Sequence, residues 1–240
     1  MSEACDFARV GISTLQIEYF VRERFAFYRV EPSFTKVKNY QYYTCLSVND
    51  VVVHGVPSAY ILNDQDILGI DIGVYLEGFH TDMSWSKLIK KDGQKKDRYI
   101  NQEEFLKAGA KSLQLAIGQA MPGKRIGDIS RMIQTSVEGF GFNVVKQLVG
   151  HAVGKNLHEY PQIPGILTKN IDQTEEISAG MTLAIEIIYT MGKPDIVYKN
   201  NDGWSIATKD KSLSGLFEAT VAVVDDGNKV LTPFTQLLNT

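Results

Sequence analysis

The chain has 240 residues, of which 44% are hydrophobic and 22% charged, a composition typical of a globular protein with a substantial core. Its formal net charge of −3 offers no basic surface for nucleic acid or an anionic membrane, and no apolar run approaches the roughly 18–20 residues that span a bilayer. The two cysteines, Cys5 and Cys45, do not form a disulfide framework, and the first residues lack the pattern of a signal peptide. We therefore expect a cytoplasmic monomer with no direct nucleic-acid or membrane partner.

The first half of the chain is predicted to contain two helices followed by strands. Ser13 and Gln16 have the spacing of a capping box, which predicts a helix to about Phe27, after a shorter helix over 2–9 that ends before Gly11. The face of the longer helix that we expect to be buried carries Leu15, Tyr19, Val21 and Phe25. Strands are predicted at 40–47, at 51–53 and in two apolar runs on either side of Glu77-Gly78, and a charged loop is predicted at 87–98.

The second half repeats this order of elements. Apolar spacing predicts a helix over 102–120, and Asp128 is placed to cap another helix over 129–139. Strands are predicted at 143–148, 181–190, 195–198, 204–208 and 216–224, with a glycine-containing segment at 150–158 and a polar loop at 168–178. The similarity of the halves, 1–95 and 100–235, predicts one α+β domain over 1–240 with pseudo-two-fold symmetry and a shared central site.

Acidic residues interrupt several of the predicted apolar strands. Asp71 lies between two isoleucines, and folding the chain about Glu77-Gly78 brings Asp82 opposite or diagonal to it. Glu186 and Glu218 lie within two further apolar runs. Each acid alone is compatible with an edge strand that points it to water, but together they favour a buried site for divalent cations such as Mg, Mn, Fe(II) or Co(II).

The histidines support the same interpretation. His151 and His158 bracket a segment in which Gly150 and Gly154 allow close approach of the backbone, and His54 precedes a glycine at a strand end. His80 is interpreted as structural. Acids together with one or two histidines indicate hydrolytic chemistry with two metal ions, which can activate a water molecule and polarise a carbonyl group.

These residues occur in sequence blocks that resemble the type I methionine aminopeptidases, metalloenzymes with the pita-bread fold. The resemblance runs from about residue 2 to the end of the chain. The blocks that carry it are 45–57, 70–72 with 78–82, 150–154 with 158–161, 180–186, 202–204 with 208–210, and 212–218.

The resemblance implies a role for each candidate residue. Its two divalent ions (Co, Mn, Fe(II), Zn or Ni) would be held by Asp71, Asp82, His151, Glu186 and Glu218, with Asp82 and Glu218 bridging them. Glu186 would also transfer a proton from the attacking water to the leaving amine. His158 would bind the scissile carbonyl, and His54 would contact the substrate backbone near the scissile nitrogen. The methionine pocket would be formed by Tyr40, Cys45, Leu157 and Trp204.

Five positions depart from the family pattern. Ile187 replaces a proline after the catalytic glutamate, and Ala152 replaces a glycine after the ligand histidine. Leu157 and Val37 stand where aromatic residues are expected, and Ala219 replaces a histidine beside Glu218. None removes a ligand, so these departures bear on the selectivity for the first side chain rather than on the chemistry.

The resemblance implies an enzyme that removes the amino-terminal methionine from nascent polypeptides, at the ribosome, when the second residue is small. Two alternatives stay open from the sequence. One is another pita-bread aminopeptidase such as an Xaa-Pro enzyme, which usually carries a large additional domain. The other is a non-catalytic binding protein on the same scaffold, although such relatives usually lose metal ligands.

Overall fold

The computed structural model describes residues 1–239. Its α-helices are α1 (Ser2–Phe7), α2 (Thr14–Tyr28), α3 (Ile100–Ile117) and α4 (Ile126–Gly139). The strands of the first half are β1 (Glu31–Pro32), β2 (Thr44–Val48), β3 (Val51–Val53), β4 (Ile67–Ile72), β5 (Val74–Leu76), β6 (Phe79–Thr81) and β7 (Ser84–Leu88). Those of the second half are β8 (Asn143–Val144), β9 (Val149–Ala152), β10 (Glu159–Pro164), β11 (Thr182–Thr190), β12 (Ile196–Tyr198), β13 (Ile206–Thr208), β14 (Ser214–Val224) and β15 (Gly227–Val230).

One antiparallel sheet contains strands from both halves of the chain. Its order is β10-β9-β11-β14-β7-β4-β2, with β15 paired to β14 and β8 paired to β11. The halves meet where β14 pairs with β7, and there the rings of Trp85 and Phe217 make an edge contact with centroids 4.8 Å apart. Helix α3 packs on β11 and β14, so one face of the sheet contributes to the main hydrophobic core. The other face is free to form the walls of a cavity.

Side-chain hydrogen bonds to the backbone mark the starts of α2 and α4. Ser13 accepts a hydrogen bond from Gln16 N at 3.2 Å, and the Gln16 side chain accepts one from Ser13 N at 2.8 Å. This capping box satisfies backbone donors at the start of α2. In α4 the Asp128 carboxylate accepts from Arg125 N at 3.0 Å, so the helix begins at Ile126, three residues before the predicted start. Among the described residues, no helix is both long and apolar enough to cross a lipid bilayer.

The predicted hairpin about Glu77-Gly78 is present, but each of its arms is divided. Both turn residues have positive φ, at 51° and 91°, as a two-residue hairpin turn requires. The arms near the turn, β5 and β6, belong to a small sheet with β1, whereas β4 and β7 continue the pairing in the central sheet. In that register Asp71 pairs with Ser84, which leaves Asp82 diagonal to Asp71 as predicted.

Several predicted elements differ from those observed. The strand predicted at 40–47 begins only at Thr44, and the strand at 143–148 is reduced to Asn143–Val144. Strands β10 and β15 lack a strong alternating pattern and were not predicted. Tyr19, which was expected to be buried, is 56% exposed, and Glu18 takes its place on the buried face of α2. A buried glutamate cannot be inferred from hydrophobic periodicity, because its burial depends on partners elsewhere in the chain.

Candidate active site

A cavity of about 130 Å³ lies between the open face of the sheet and the loops that precede β2 and follow β9. All the residues selected from the sequence line it: Tyr40, Cys45, His54, Asp71, Asp82, His151, Leu157, His158, Glu186, Trp204 and Glu218. They come from both halves of the chain. The cavity therefore depends on the sheet formed jointly by the two halves.

Four adjacent strands supply the carboxylates. Asp71 lies on β4, Asp82 lies just before β7, and Glu218 and Glu186 are direct register partners on β14 and β11. Paired residues on neighbouring antiparallel strands project from the same face of the sheet, so both glutamates point into the cavity. Asp71, Asp82 and Glu218 are buried, and Glu186 is partly buried.

Neighbouring hydroxyl groups hold two of these acids in place. The Thr220 hydroxyl accepts a hydrogen bond from Asp82 N and donates one to Asp82 O, each at 2.8 Å. Ser84 Oγ donates to Glu218 Oε2 at 3.0 Å. Thr220 and Ser84 are themselves fully buried. These bonds position the backbone of Asp82 and one carboxylate oxygen of Glu218 before any ligand binds.

The electrostatics of the four acids are unfavourable in the absence of a cation. Burial raises the pKa of Asp71 to about 7 and raises the pKa of Asp82 well above its usual range. Burial is likewise the main cause of the raised pKa of Glu186 and of Glu218, and repulsion by the neighbouring carboxylates adds to it. Protons therefore remain on this cluster at pH values where exposed carboxyl groups are ionised.

His151 presents a free nitrogen to the acids. Its Nδ1 is 3.0 Å from Ala152 O, and a carbonyl oxygen accepts only, so Nδ1 carries the proton and Nε2 keeps its lone pair. Nε2 is 3.7 Å from Glu186 Oε1. Burial lowers the pKa of His151 to about 4, so the imidazole is neutral near pH 7. A neutral imidazole whose other nitrogen is hydrogen-bonded is the usual form of a metal-binding histidine.

The donor set fits a divalent metal centre. One oxygen or nitrogen each from Asp82, His151 and Glu218 lies within 4.8 Å of the others. Asp71 Oδ1 is buried and has no hydrogen-bond partner, which costs free energy unless a cation occupies the space beside it. Carboxylate oxygens with one imidazole suit Mn, Fe(II), Co or Zn, and a cation would also relieve the repulsion among the acids.

His54 and His158 lie at the mouth of the cavity. The ring of His158 is 4.5 Å from the ring of His151 between centroids. His54 adopts a left-handed backbone conformation, with φ of 56°, which turns the chain after β3. Desolvation lowers the pKa of both residues, and the proximity of His158 further disfavours protonation of His54. Both rings are therefore neutral near pH 7 and can donate hydrogen bonds to a ligand.

One side of the cavity is apolar, and at Cys45 it adjoins Asp71 through strand pairing. Phe34, Tyr40, Cys45 and Leu157 form a separate buried cluster, against which Val37 and Trp204 pack. The rings of Tyr40 and Trp204 make an edge contact with centroids 5.0 Å apart. This arrangement suits an unbranched apolar side chain better than a charged one.

Some lining and supporting residues were not identified from the sequence. Phe34, Val53 and Leu216 line the cavity, and nothing in their local pattern separates them from ordinary core residues. Thr220 could have been identified from the sequence, because it follows Glu218 by two residues and so lies on the same face of β14. His80 lies outside the lining, and its Nδ1 is 2.8 Å from Ser33 Oγ, so its described side-chain hydrogen bond is to a residue outside the cavity.

The departures from the family pattern fall into two groups. Ile187, Ala219 and Ala152 belong to the main hydrophobic core. Ile187 and Ala219 follow Glu186 and Glu218, so alternation along the strand directs them to the opposite face of the sheet. Leu157 and Val37 line the cavity itself. Only the second group can change the shape of the apolar side directly.

Comparison with known proteins gives one consistent result. The model of metallopeptidase family M24 matches residues 1–225. The chain is 35% identical to a methionine aminopeptidase of Clostridium perfringens, over 93% of this chain and 86% of that protein. It is 36% identical to methionine aminopeptidase 1 of Bacillus subtilis, over 92% and 86% of the two chains.

Solved structures confirm the pita-bread fold. The methionine aminopeptidase of Thermotoga maritima superposes with a TM-score of 0.89 and 34% identity, covering 96% of this chain and 90% of that one. A prolidase of Pyrococcus furiosus shares the fold alone, with a TM-score of 0.71 and 19% identity over 96% and 58% of the two chains. From the family match and these similarities we conclude that the chain belongs to metallopeptidase family M24.

Proposed function

We propose that this protein is a metal-dependent methionine aminopeptidase that hydrolyses the first peptide bond of nascent polypeptides whose second residue is small. One observation carries the proposal: an apolar pocket opens directly onto a buried group of four acids and a neutral histidine. The similarity to methionine aminopeptidases over most of the chain supports it. The two cysteines are free, which agrees with action in the cytosol, where ribosomes supply such substrates.

We assign the metal ligands to Asp71, Asp82, His151, Glu186 and Glu218. Two bound divalent ions, chosen from Co, Mn, Fe(II), Zn and Ni by availability, would act as Lewis acids toward water and the scissile carbonyl. Asp82 and Glu218, which with His151 bring their donor atoms within 4.8 Å of one another, would contribute carboxylate oxygens to this centre. The unpartnered oxygen of Asp71 and the lone pair of His151 Nε2 support this assignment.

The remaining polar groups have roles in proton transfer and substrate binding. Glu186 would accept a proton from the attacking water and deliver it to the leaving amine, and burial together with the neighbouring acids raises its pKa, which makes it a stronger base than an exposed glutamate. His158 donates a hydrogen bond to the scissile carbonyl as negative charge develops on its oxygen. His54 binds the substrate backbone near the scissile nitrogen. Tyr40, Cys45, Leu157 and Trp204 surround the methionine side chain.

A tripeptide assay tests this proposal. The purified protein, loaded separately with each candidate metal, is expected to cleave Met-Ala-Ser and to leave Ala-Pro-Ala intact. Cleavage of Ala-Pro-Ala instead would favour an Xaa-Pro enzyme. Absence of both activities and of bound metal would favour a binding protein. The Asp82→Asn variant is the control, because it keeps the size of the side chain while removing a charged oxygen ligand.

A further inference from the structure

Glu18 is a buried acid that lies outside the cavity and has no part in the proposed chemistry. It is on α2 and is fully inaccessible to solvent. An ionised carboxylate is stable in such a place only when hydrogen-bond donors or a cation compensate its lost hydration. Arg22, one helical turn further along, donates from Nε to Glu18 Oε1 at 2.6 Å.

The other partners of Glu18 all belong to the segment that enters β2. Glu18 Oε1 accepts a hydrogen bond from Tyr43 N at 3.0 Å. Glu18 Oε2 accepts from Thr44 N at 3.1 Å and from Thr44 Oγ1 at 2.7 Å. A single carboxylate therefore binds two consecutive backbone amides and a hydroxyl, which defines the position of the chain just before β2.

Arg22 binds the same segment by two additional contacts. Its Nη2 donates to Gln41 O at 3.0 Å, and its guanidinium group lies 4.5 Å from the centre of the Tyr43 ring. The pair Glu18 and Arg22 thus holds residues 41–44 against α2. These bonds also explain why the strand predicted from residue 40 begins only at Thr44, because backbone groups of 41–44 bind helix side chains instead of a neighbouring strand.

Thr44 connects this pair to the apolar side of the cavity. Thr44 O accepts a hydrogen bond from the Tyr40 hydroxyl at 2.7 Å, and the next residue is Cys45. Tyr40 in turn contacts Trp204 through their ring edges. Glu18 is therefore linked through Thr44 to two residues of the pocket, Tyr40 and Cys45.

We propose that Glu18 is a positioning residue that determines which first side chain the pocket accepts. The inference rests on the proposed function. When the carboxylate is removed, the amide and hydroxyl groups of Thr44 lose their charged acceptor while its pairing with Ile72 remains. Small displacements of Tyr40 and Cys45 then become possible. Such displacements alter how well an apolar substrate side chain fits the pocket. One methylene group more or less in a hydrophobic pocket changes the ratio of kcat/KM between two substrates by about 10–200-fold.

The acids are expected to keep their arrangement when Glu18 is changed. Cys45 pairs with Asp71 across β2 and β4, but Asp71 is also paired with Ser84 on its other side. Glu186 and Glu218 lie two strands or more from β2 in the sheet. The effect of Glu18 should therefore appear in substrate binding and selectivity and not in the rate of the chemical step.

The test compares Glu18→Gln with the wild-type enzyme on the tripeptides Met-Ala-Ser, norleucine-Ala-Ser and Ala-Ala-Ser. We expect the ratio of kcat/KM for the methionine peptide to that for the alanine peptide to fall about tenfold. The change should arise from a higher KM for the methionine peptide, with kcat within about twofold of the wild-type value. An unchanged ratio in a folded Glu18→Gln protein would overturn the proposal.

Gln16→Ala is the matched control. Gln16 belongs to the capping box of the same helix but makes no contact with residues 40–45 among its described hydrogen bonds. Its loss weakens α2 without touching Thr44, so the methionine-to-alanine ratio should stay at the wild-type value. An equal fall in the ratio for Gln16→Ala and Glu18→Gln would mean that helix stability alone matters, and it would contradict a specific role for Glu18.

Two variants of Thr44 decide the matter if Glu18→Gln does not fold. Thr44→Val removes the hydroxyl donor and keeps the backbone amide, so we expect a smaller shift of the ratio in the same direction. Thr44→Ser keeps the hydroxyl and should retain the wild-type ratio. A wild-type ratio in Thr44→Val would overturn the proposal.

A wild-type enzyme that cleaves no methionine peptide would overturn the proposed function and this inference together. An active enzyme whose methionine-to-alanine ratio is the same in all variants would overturn only the inference.

Discussion

Glu186 and Glu218 are direct register partners across β11 and β14, so two carboxylates face each other on adjacent strands within one cavity. Neither has a basic side chain as a hydrogen-bond partner in the part of the chain that the structure describes. Repulsion by Glu186 adds to the burial that raises the pKa of Glu218, and repulsion by Asp82 and Asp71 adds to the burial that raises the pKa of Glu186. Such a pair lowers the stability of the folded protein until a cation binds, and this property of the site leads to the first three predictions.

Replacement of Glu186 by glutamine is expected to lower kcat for Met-Ala-Ser by about 10²–10⁴-fold, the usual contribution of a positioned general base. The glutamine side chain has the same shape but cannot accept the proton of the attacking water. Circular dichroism should show the fold of the wild-type protein, and the metal-free variant should unfold at a higher midpoint because one of the repelling acids is replaced by a neutral side chain. Glu104→Gln, an exposed position on α3, is the control and should keep full activity. Wild-type turnover in Glu186→Gln would contradict the assignment.

Metal removal is expected to lower the thermal stability of the protein. A ligand that binds only the folded state at about 100 times its dissociation constant stabilises that state by about 2.7 kcal/mol. Addition of Mn or Co to chelator-treated protein should therefore raise Tm in a concentration-dependent way, measured by calorimetry. Asp82→Asn should show a much smaller rise. Equal rises in the variant and the wild-type protein would mean that the ions bind elsewhere.

The metal-free protein should become less stable as the pH rises from about 4 to 7. Asp71 in the folded state keeps its proton up to about pH 7, whereas in the unfolded chain it loses the proton near pH 4. The folded state thus binds more protons in this interval, and its free energy of unfolding falls as the pH rises. Urea denaturation at pH 5 and pH 8 would measure the difference. Asp71→Asn should reduce the pH dependence, and an unchanged slope in that variant would contradict the prediction.

Two helical glycines should respond in opposite ways to alanine. Gly109 on α3 packs directly against the hydroxyl group of Tyr189 and the ring of Phe217, so an added Cβ would overlap both. Alanine favours a helix by about 0.5–1 kcal/mol over glycine, but overpacking a core costs about 1–3 kcal/mol. Gly109→Ala should therefore be destabilising.

Gly139 is the matched control for this change. It is the last residue of α4, and an added Cβ there would meet open space. Gly139→Ala should raise the free energy of unfolding by up to about 1 kcal/mol. The denaturant midpoint of each variant is compared with that of the wild-type protein. A higher midpoint for Gly109→Ala would contradict the prediction and show that the core between α3 and the sheet can expand.

Some features of the site could be predicted because their signals are local. The position of Asp71 between two isoleucines can be recognised as unusual from a stretch of only a few residues. The turn at Glu77-Gly78 then places Asp82 beside it through hairpin geometry alone. The capping box of α2 is likewise a contact between residues three apart. These predictions agree with the structure because few alternative conformations compete with them.

Other features could not be predicted because they depend on distant partners. Tyr19 was expected to be buried but is exposed, whereas Glu18 beside it is buried because Tyr43 and Thr44 supply its hydrogen-bond donors. The strand at 143–148 is short because its register pairing with β11 is confined to Asn143 and Val144, followed by a single bond from Val145 N to Ile188 O. Hydrophobic periodicity contains no information about such partners.

The chemical character of this protein can be read from its residues in order: four acids in or beside apolar runs, three histidines near glycines and the blocks that resemble a metallopeptidase family. How these groups meet depends on the folded chain. It paired Glu186 with Glu218, directed Ile187 and Ala219 into the core while Leu157 and Val37 line the cavity, and placed Glu18 behind the pocket. The physical reason is that register and burial depend on contacts between residues far apart in the chain, whereas residue type and local spacing are properties of each segment alone.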